Sequence, residues 1–422
     1  MKINVKNTDQ AYAIVIGLDS VQGLQTARIL NDRGVPVIGL VKDPTHYACK
    51  TNACEEIMVT ATDERELIET LQQIGSLFQQ KAVLFPCEDM NVLLVSEYRE
   101  WLKNWYHVVL PEHEIVEMLT DKIRFNQFAM ENDLPIPKTF ILHNMADAER
   151  AAEALSYPCI LKPSVKTPEW TQHTTIKAFK VFDMVELLAY YDKYQSLTPC
   201  MIAQEWIEGE DTNHHTCNFY FDENSTPLVT FMSQKIRQWP PKTGQGCIGR
   251  ESRNDEVRNE TIRIFRNLNY YGLGYLDMKR DDRSGKYLIV EPNIGRPTGR
   301  SATAEASGVE LLYTMYCDAT GKPLPENRMQ MFKGVKWIHI RRDLQSVLYL
   351  LRRRQLSLKE LWASWRGPKT FALFSWRDPA PFFGDLTRGI RLLLSSKERK
   401  KRDHKTQLTG AEIPAGEINH AA

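Results

Sequence analysis

The sequence predicts a chain of mixed α/β and α+β class. A parallel-sheet domain comes first, then a small lobe, a large antiparallel-sheet lobe and a basic, aromatic C-terminal extension. Three observations carry this. Near the N-terminus an apolar run, a helical period and a second apolar run follow one another, which is the pattern of a βαβ unit. The middle of the chain instead joins strand-like runs across short turns rich in Asp, Asn, Ser and Gly, which predicts antiparallel hairpins. At 422 residues, 42% hydrophobic and 25% charged, the chain can bury the cores of several domains.

The elements follow in order. Ala13-Ile14-Val15-Ile16-Gly17 is a short buried strand. Residues 22–33 form a helix with Leu24, Ala27 and Leu30 inward, Gly34 ends it, and residues 35–40 are the next strand. The turn from Gly17 to Gly23 lacks the GxGxxG spacing of a dinucleotide loop and reads as a tight strand-to-helix turn. Residues 64–80 are helical and 82–86 a strand, with Glu88 and Asp89 at its carboxyl end, where open α/β sheets bind ligands. Asp89 reads first as the cap of a helix over 91–102. This domain spans residues 1–118.

A small lobe spans 119–208. Asp121-Lys122 start a helix that runs to Glu131, and Tyr157-Pro158-Cys159-Ile160-Leu161-Lys162-Pro163 is a buried strand ending in a lysine whose charge needs an anion. Residues 177–181 are a short strand, 184–194 a helix, and 201–211 a strand that leaves into a turn. A larger lobe spans 209–325. Residues 216–221 and 228–235 are antiparallel strands, Lys235 and Arg237 share a strand face, and Thr243-Gly244-Gln245-Gly246 is a loop.

Within that lobe, Gly274-Tyr275-Leu276-Asp277 and Tyr287-Leu288-Ile289-Val290-Glu291-Pro292-Asn293 read as the arms of a hairpin around a charged turn. Glu291 and Asn293 are two apart and face one side. If the arms pair in register, three oxygen donors meet at one end, which suits a hard cation such as Mg²⁺. The same residues also fit a solvated acidic hairpin.

Net charge is +1, so the whole chain carries no nucleic-acid footprint. Yet residues 326–405 hold 20 Lys/Arg against 7 Asp/Glu, and the remainder 34 against 46. The eight cysteines are scattered without a CxxC pair and read as free thiols in a reducing cytoplasm. The polar N-terminus and the lack of a long apolar run predict neither an export signal nor a spanning helix.

Taken in order, Asp121-Lys122, Ile160-Leu161-Lys162-Pro163, Gln204-Glu205-Trp206-Ile207-x-Gly209, Lys235-x-Arg237, Asp277 and Glu291-x-Asn293 resemble the ATP-grasp superfamily, in particular its carboxylate–amine ligases. The resemblance covers roughly residues 12–320. It implies a pre-ATP-grasp domain, a lid lobe and a large lobe with ATP between them, and it carries roles onto residues. Lys122 and Lys162 resemble the pair at the ATP phosphates and adenine side. Gln204, Glu205, Trp206 and Ile207 resemble the adenine hinge, and Asp211, or else Glu208 or Glu210, the ribose acceptor. Lys235, Arg237 and Arg296 resemble the catalytic cations, and Asp277, Glu291 and Asn293 the ligands of Mg²⁺, with Mn²⁺ as a substitute.

The sequence departs from the family in three places. Residues 164–173 lack a glycine-rich phosphate loop, for which Lys177 or backbone amides would substitute. Arg296 comes one residue late, and the first metal acid is Asp rather than Glu. The activity implied is amide formation from a small-molecule carboxylate and an amine, an amino acid or a cell-surface polysaccharide precursor being candidate substrates. The alternatives are an ATP-grasp carboxylase, a phosphotransferase or a non-catalytic ATP-binding module. A homodimer is compatible with the family. The extension, residues 326–402, is aromatic and basic, which suits either an interfacial contact at the inner face of the membrane or a helix packed on the enzyme. Residues 403–422 read as a disordered tail.

Overall fold

The computed structural model describes residues 10–391 except 175, 177, 242 and 243. Three sheets make up the chain. The first is parallel, with strands β1 (Ala13–Ile16), β2 (Val37–Val41), β3 (Glu56–Val59), β4 (Ala82–Pro86) and β5 (Tyr106–His107) in the order β3-β2-β1-β4-β5. β1 and β2 are apolar throughout and fully buried, as a strand covered on both faces must be. Ser20 caps the helix Val21–Asp32, its hydroxyl accepting the Gly23 N–H. A Cβ at Gly23 would lie 2.3 Å from the Gly17 carbonyl oxygen, so this glycine serves close helix–strand packing.

The second sheet is antiparallel and small: β6 (Thr139–Leu142), β7 (Cys159–Pro163), β8 (Phe179–Val181) and β9 (Met201–Glu205), in the order β6-β9-β7-β8. Its core of Leu161, Trp170, Leu187 and Tyr191 is separate from the other cores.

The third sheet has seven strands: β10 (His214–Phe221), β11 (Pro227–Trp239), β12 (Gln245–Glu251), β13 (Gly272–Arg280), β14 (Tyr287–Ile294), β15 (Lys336–Ile338) and β16 (Lys369–Phe371). They run in the order β14-β13-β10-β11-β12-β15-β16. Its inner face packs Phe219, Phe221, Phe265 and Tyr270 as edge-to-face and tilted pairs.

Two expectations change here. Of the segment read as a loop at 243–246, Gln245 and Gly246 open strand β12, while Thr243 lies outside the described residues. The C-terminal region is not a separate extension, because β15 pairs with β12 and β16 with β15, adding two strands to the large sheet. It also reaches the first domain, where Arg28 pairs with Asp378 at 2.8 Å and Thr51 donates to the same carboxylate. The eight cysteines are free thiols. Among the described residues no helix is long and apolar enough to cross a membrane. Residues 392–422, including the basic run 397–402 and the expected tail 403–422, lie outside the described residues.

Candidate active site

The β13/β14 ladder sets the geometry. Asp277 lies directly opposite Glu291, and Tyr275 opposite Asn293. Residues opposite each other, and residues two apart on one strand, share a face, so Asp277, Glu291 and Asn293 converge. They open into a cleft of about 800 Å³ lined from all three sheets.

Each donor is held. Thr216 donates to Asp277 Oδ1 at 2.5 Å, and Arg300 Nη2 and His214 Nδ1 each stand 4.0 Å from that oxygen. Asn293 Oδ1 accepts Arg296 Nη2 at 2.6 Å, while its buried Nδ2 has no partner. Glu291 is wetted through the cleft but walled by protein, and burial followed by the Asp277 charge raises its pKa. Among the described residues no three His, Cys, Asp or Glu side chains gather at metal distance. The set here is two carboxylates and an amide oxygen. Adjacent like charges with oxygen donors fit a hard divalent ion that takes its other ligands from phosphates.

Cations ring this point. Lys162, at the end of β7, donates to Gln204 Oε1 at 3.2 Å, and burial, with Lys122 nearby, lowers its pKa to about 8. Lys122 opens the helix Lys122–Glu131, whose first amides are capped by Asp121. Lys235 donates to Gln238 Oε1 at 2.9 Å, and burial lowers its pKa. Both lysines face the cleft.

Arg237 does not. The β11/β12 register shifts on either side of it, and its guanidinium is buried against Asp343 at 2.9 Å and Ser364. The alternation that put Lys235 and Arg237 on one face fails at this bulge. Arg296 lines the cleft with three of its donors engaged, by Asp89 (2.5 Å), Tyr275 (2.7 Å) and Asn293. Glu88, not Asp89, is the N-cap of the helix Asp89–Glu97, which leaves Asp89 for Arg296.

The hinge expected to read adenine also lines the cleft, with Ile160 and Ala178 as apolar neighbours. Gln204 is turned into the lobe, donating to Thr139. Glu205 Oε1 accepts the Ser156 N–H at 3.0 Å. The Trp206 N–H is already given to the Pro158 carbonyl, and its ring carries Lys180 Nζ at 4.3 Å from the centroid. Of the three ribose candidates, Asp211 lines the cleft, accepting Gln238 Nε2, whereas Glu208 and Glu210 do not. Lys177 lies outside the described residues.

Sequence reasoning missed His214, Lys279 and Arg300. Lys279 donates to the Ile207 carbonyl at 2.8 Å from the end of β13. Its spacing of two from Asp277 was the available signal, obscured because residues 279–286 read as turn.

No protein-family model matches the chain. The chain is 26% identical over 276 residues to the D-aspartate ligase of Enterococcus faecium, covering 61% of this chain and 64% of that one. It is 29% identical over 91 residues to the D-alanine–D-alanine ligase of Stutzerimonas stutzeri, 22% and 27% of the two lengths. The chain thus spans less than two thirds of the length of these curated relatives. Among solved structures it superposes on an ADP complex of N5-carboxyaminoimidazole ribonucleotide synthetase with TM-score 0.59 at 13% identity, over 82% of this chain and 85% of that one. It superposes on the biotin carboxylase of Campylobacter jejuni with TM-score 0.58 at 16% identity, over 75% and 72%. The chain has the ATP-grasp fold, and in sequence it is similar to a D-aspartate ligase and a D-alanine–D-alanine ligase.

Proposed function

We propose that this chain is an ATP-dependent ligase that joins a carboxylate to an amine through an acyl phosphate. The observation that supports it best is the gathering of Asp277, Glu291 and Asn293 with Lys162 and Lys235 in one cleft.

A carboxylate does not acylate an amine in water, because its leaving group would be oxide. A substrate carboxylate oxygen therefore attacks the γ-phosphorus of ATP, the bond to ADP breaks, and an acyl phosphate forms. The amine nitrogen then attacks the acyl carbon, the bond to phosphate breaks, and amide, phosphate and a proton are released. Such a transfer needs positioning and charge cancellation more than covalent help. Lys122 and Lys162 would hold the phosphate chain, Asp211 the ribose, and residues 205–207 the base. Lys235 and Arg296 would face the transferred group. Asp277, Glu291 and Asn293 would hold Mg²⁺, or Mn²⁺ in its place, which supplies charge to the phosphate oxygens. The small lobe would exclude water that hydrolyses the acyl phosphate.

Candidate substrates are amino acids and uronic-acid-bearing precursors of surface polymers. The aromatic, basic C-terminal segment would bring the enzyme to the inner face of the membrane. Screening acids and amines for release of ADP and phosphate tests the reading. Turnover should require both substrates and vanish in Glu291→Gln while the far-UV circular dichroism is unchanged; full turnover in that variant would overturn the assignment.

A further inference from the structure

Strand β15 is followed by two helices, Ile340–Arg352 and Leu358–Trp365. Each turns one side to the protein. Asp343, Ser346 and Val347 are buried on the first helix, and Ser364 on the second. Both helices are anchored on one ion pair. Arg237 holds Asp343 at 2.9 Å and donates to the Ser364 hydroxyl at 2.8 Å, and the Trp365 indole N–H donates to Asp343 at 2.8 Å. The first helix also reaches the cleft through Arg342, with His339 just before it.

The outer sides repeat one pattern. Leu344, Leu348 and Arg352 follow at steps of four along the first helix, and Leu358, Trp362 and Arg366 do so along the second. Residues four apart share a helix face. The four apolar side chains are 48–73% exposed. Single exposed apolar residues are ordinary, but an apolar row on each of two helices held at one anchor marks a contact surface.

Charge identifies what the surface meets. Residues 344–371 hold six Lys/Arg and one acidic residue, Glu360. All six cations are exposed, and among the described residues none of them forms an ion pair. Glu360 is turned back on the start of its helix, where it accepts the Ser357 N–H and hydroxyl, each at 2.8 Å. The Arg366 guanidinium lies 5.0 Å from the centroid of the Trp362 ring, at the edge of the apolar row. Leucine and tryptophan bordered by unpaired cations fit a partner that is apolar within and anionic at its surface. The interface of a bilayer with acidic lipids has that chemistry. Long Arg and Lys side chains reach headgroup phosphates while the apolar row enters the acyl boundary.

We propose that the outer faces of helices Ile340–Arg352 and Leu358–Trp365 form a docking surface for an anionic lipid bilayer. The inference deepens the membrane contact that accompanies the ligase reading, by naming the surface and the lipid charge, and its test needs no turnover. The helix over residues 380–391 adjoins this surface, since Arg341 on the first helix holds Asp385 at 2.9 Å.

The test is flotation of the full chain with vesicles of phosphatidylcholine alone or with roughly 30% phosphatidylglycerol. The wild type should bind the anionic vesicles about tenfold or more tighter than the neutral ones, and added salt should weaken the difference. Leu348→Ser/Trp362→Ser should weaken binding to the anionic vesicles about tenfold or more. Arg352→Gln/Arg353→Gln/Arg354→Gln should remove the preference for anionic lipid, and both variants should keep the wild-type Tm. No flotation, equal flotation with neutral vesicles, or flotation unchanged in either variant would each overturn the surface. Polyglutamate bound as tightly as the anionic vesicles would overturn it too, in favour of an acidic protein. Failure of the ligase reading would show separately, as absence of phosphate release with every acid and amine while lipid binding persists.

Discussion

Lys162 sits on a strand whose neighbours are apolar, and burial drives its pKa from 10.5 to about 8. Two consequences follow with opposite signs. Between about pH 8 and 10.5 the unfolded chain binds a proton that the folded protein has lost, so this lysine makes stability rise with pH across that window. A triphosphate beside it would favour the charged form and take up a proton on binding. ATP affinity should therefore be flat below about pH 8 and fall above it, with Lys162→Met removing the fall; calorimetry of ATP binding across that range reads it, and a fall unchanged in Lys162→Met would exclude Lys162 as the group. This lysine was legible in the sequence, because a charge at the end of an apolar run has few explanations. His339 and Arg342 were not. Only the packed structure shows that both buried ring nitrogens of His339 are unbonded and that Arg342 is held by the Gln245 side chain.

The hairpin β13/β14 was equally legible at the scale of elements, since a period of two and a glycine-bearing turn fix which residues oppose. The strand β11 was not. Its bulges around Arg237 leave no mark in the residue pattern, and they separate two cations that simple alternation would unite. The two residues should therefore respond differently to truncation. Lys235→Ala should lower turnover with little change in Tm. Arg237→Ala leaves Asp343 buried without its partner and should cost about 3–5 kcal/mol of stability. Denaturant melts of both variants decide it, and an Arg237→Ala protein of wild-type stability would show that the ion pair is not holding the Ile340–Arg352 helix to the sheet. Strand β12 escaped the sequence for another reason: Gly244 just before it and Gly246 near its start look like loop until β11 and β15 are placed on either side.

The whole molecule is closed by its C-terminal segment, which adds two strands to the large sheet, tethers the first domain through Asp378 and lines part of the cleft. None of this was readable from order along the chain, because the partners lie far apart in sequence, up to 350 residues for Arg28 and Asp378. The segment still exposes apolar side chains. Trp376 is 88% exposed, and Phe383, Leu386 and Ile390 fall on one helical stripe beside Arg388 and Arg391. If this stripe meets anionic lipid, the full chain should float with vesicles containing phosphatidylglycerol and not with phosphatidylcholine alone, and the double variant Phe383→Ser/Ile390→Ser should stay in the pellet. Equal flotation of variant and wild type would remove the membrane contact.

The account as a whole depends on a divalent ion held by Asp277, Glu291 and Asn293 against the nucleotide. Electron paramagnetic resonance of Mn²⁺ titrated into the protein with ATP measures this directly. The wild type should immobilise Mn²⁺ when ATP is present, and Asp277→Asn and Glu291→Gln should each weaken that binding by about tenfold or more. Mn²⁺ bound equally well by wild type and both variants would contradict it.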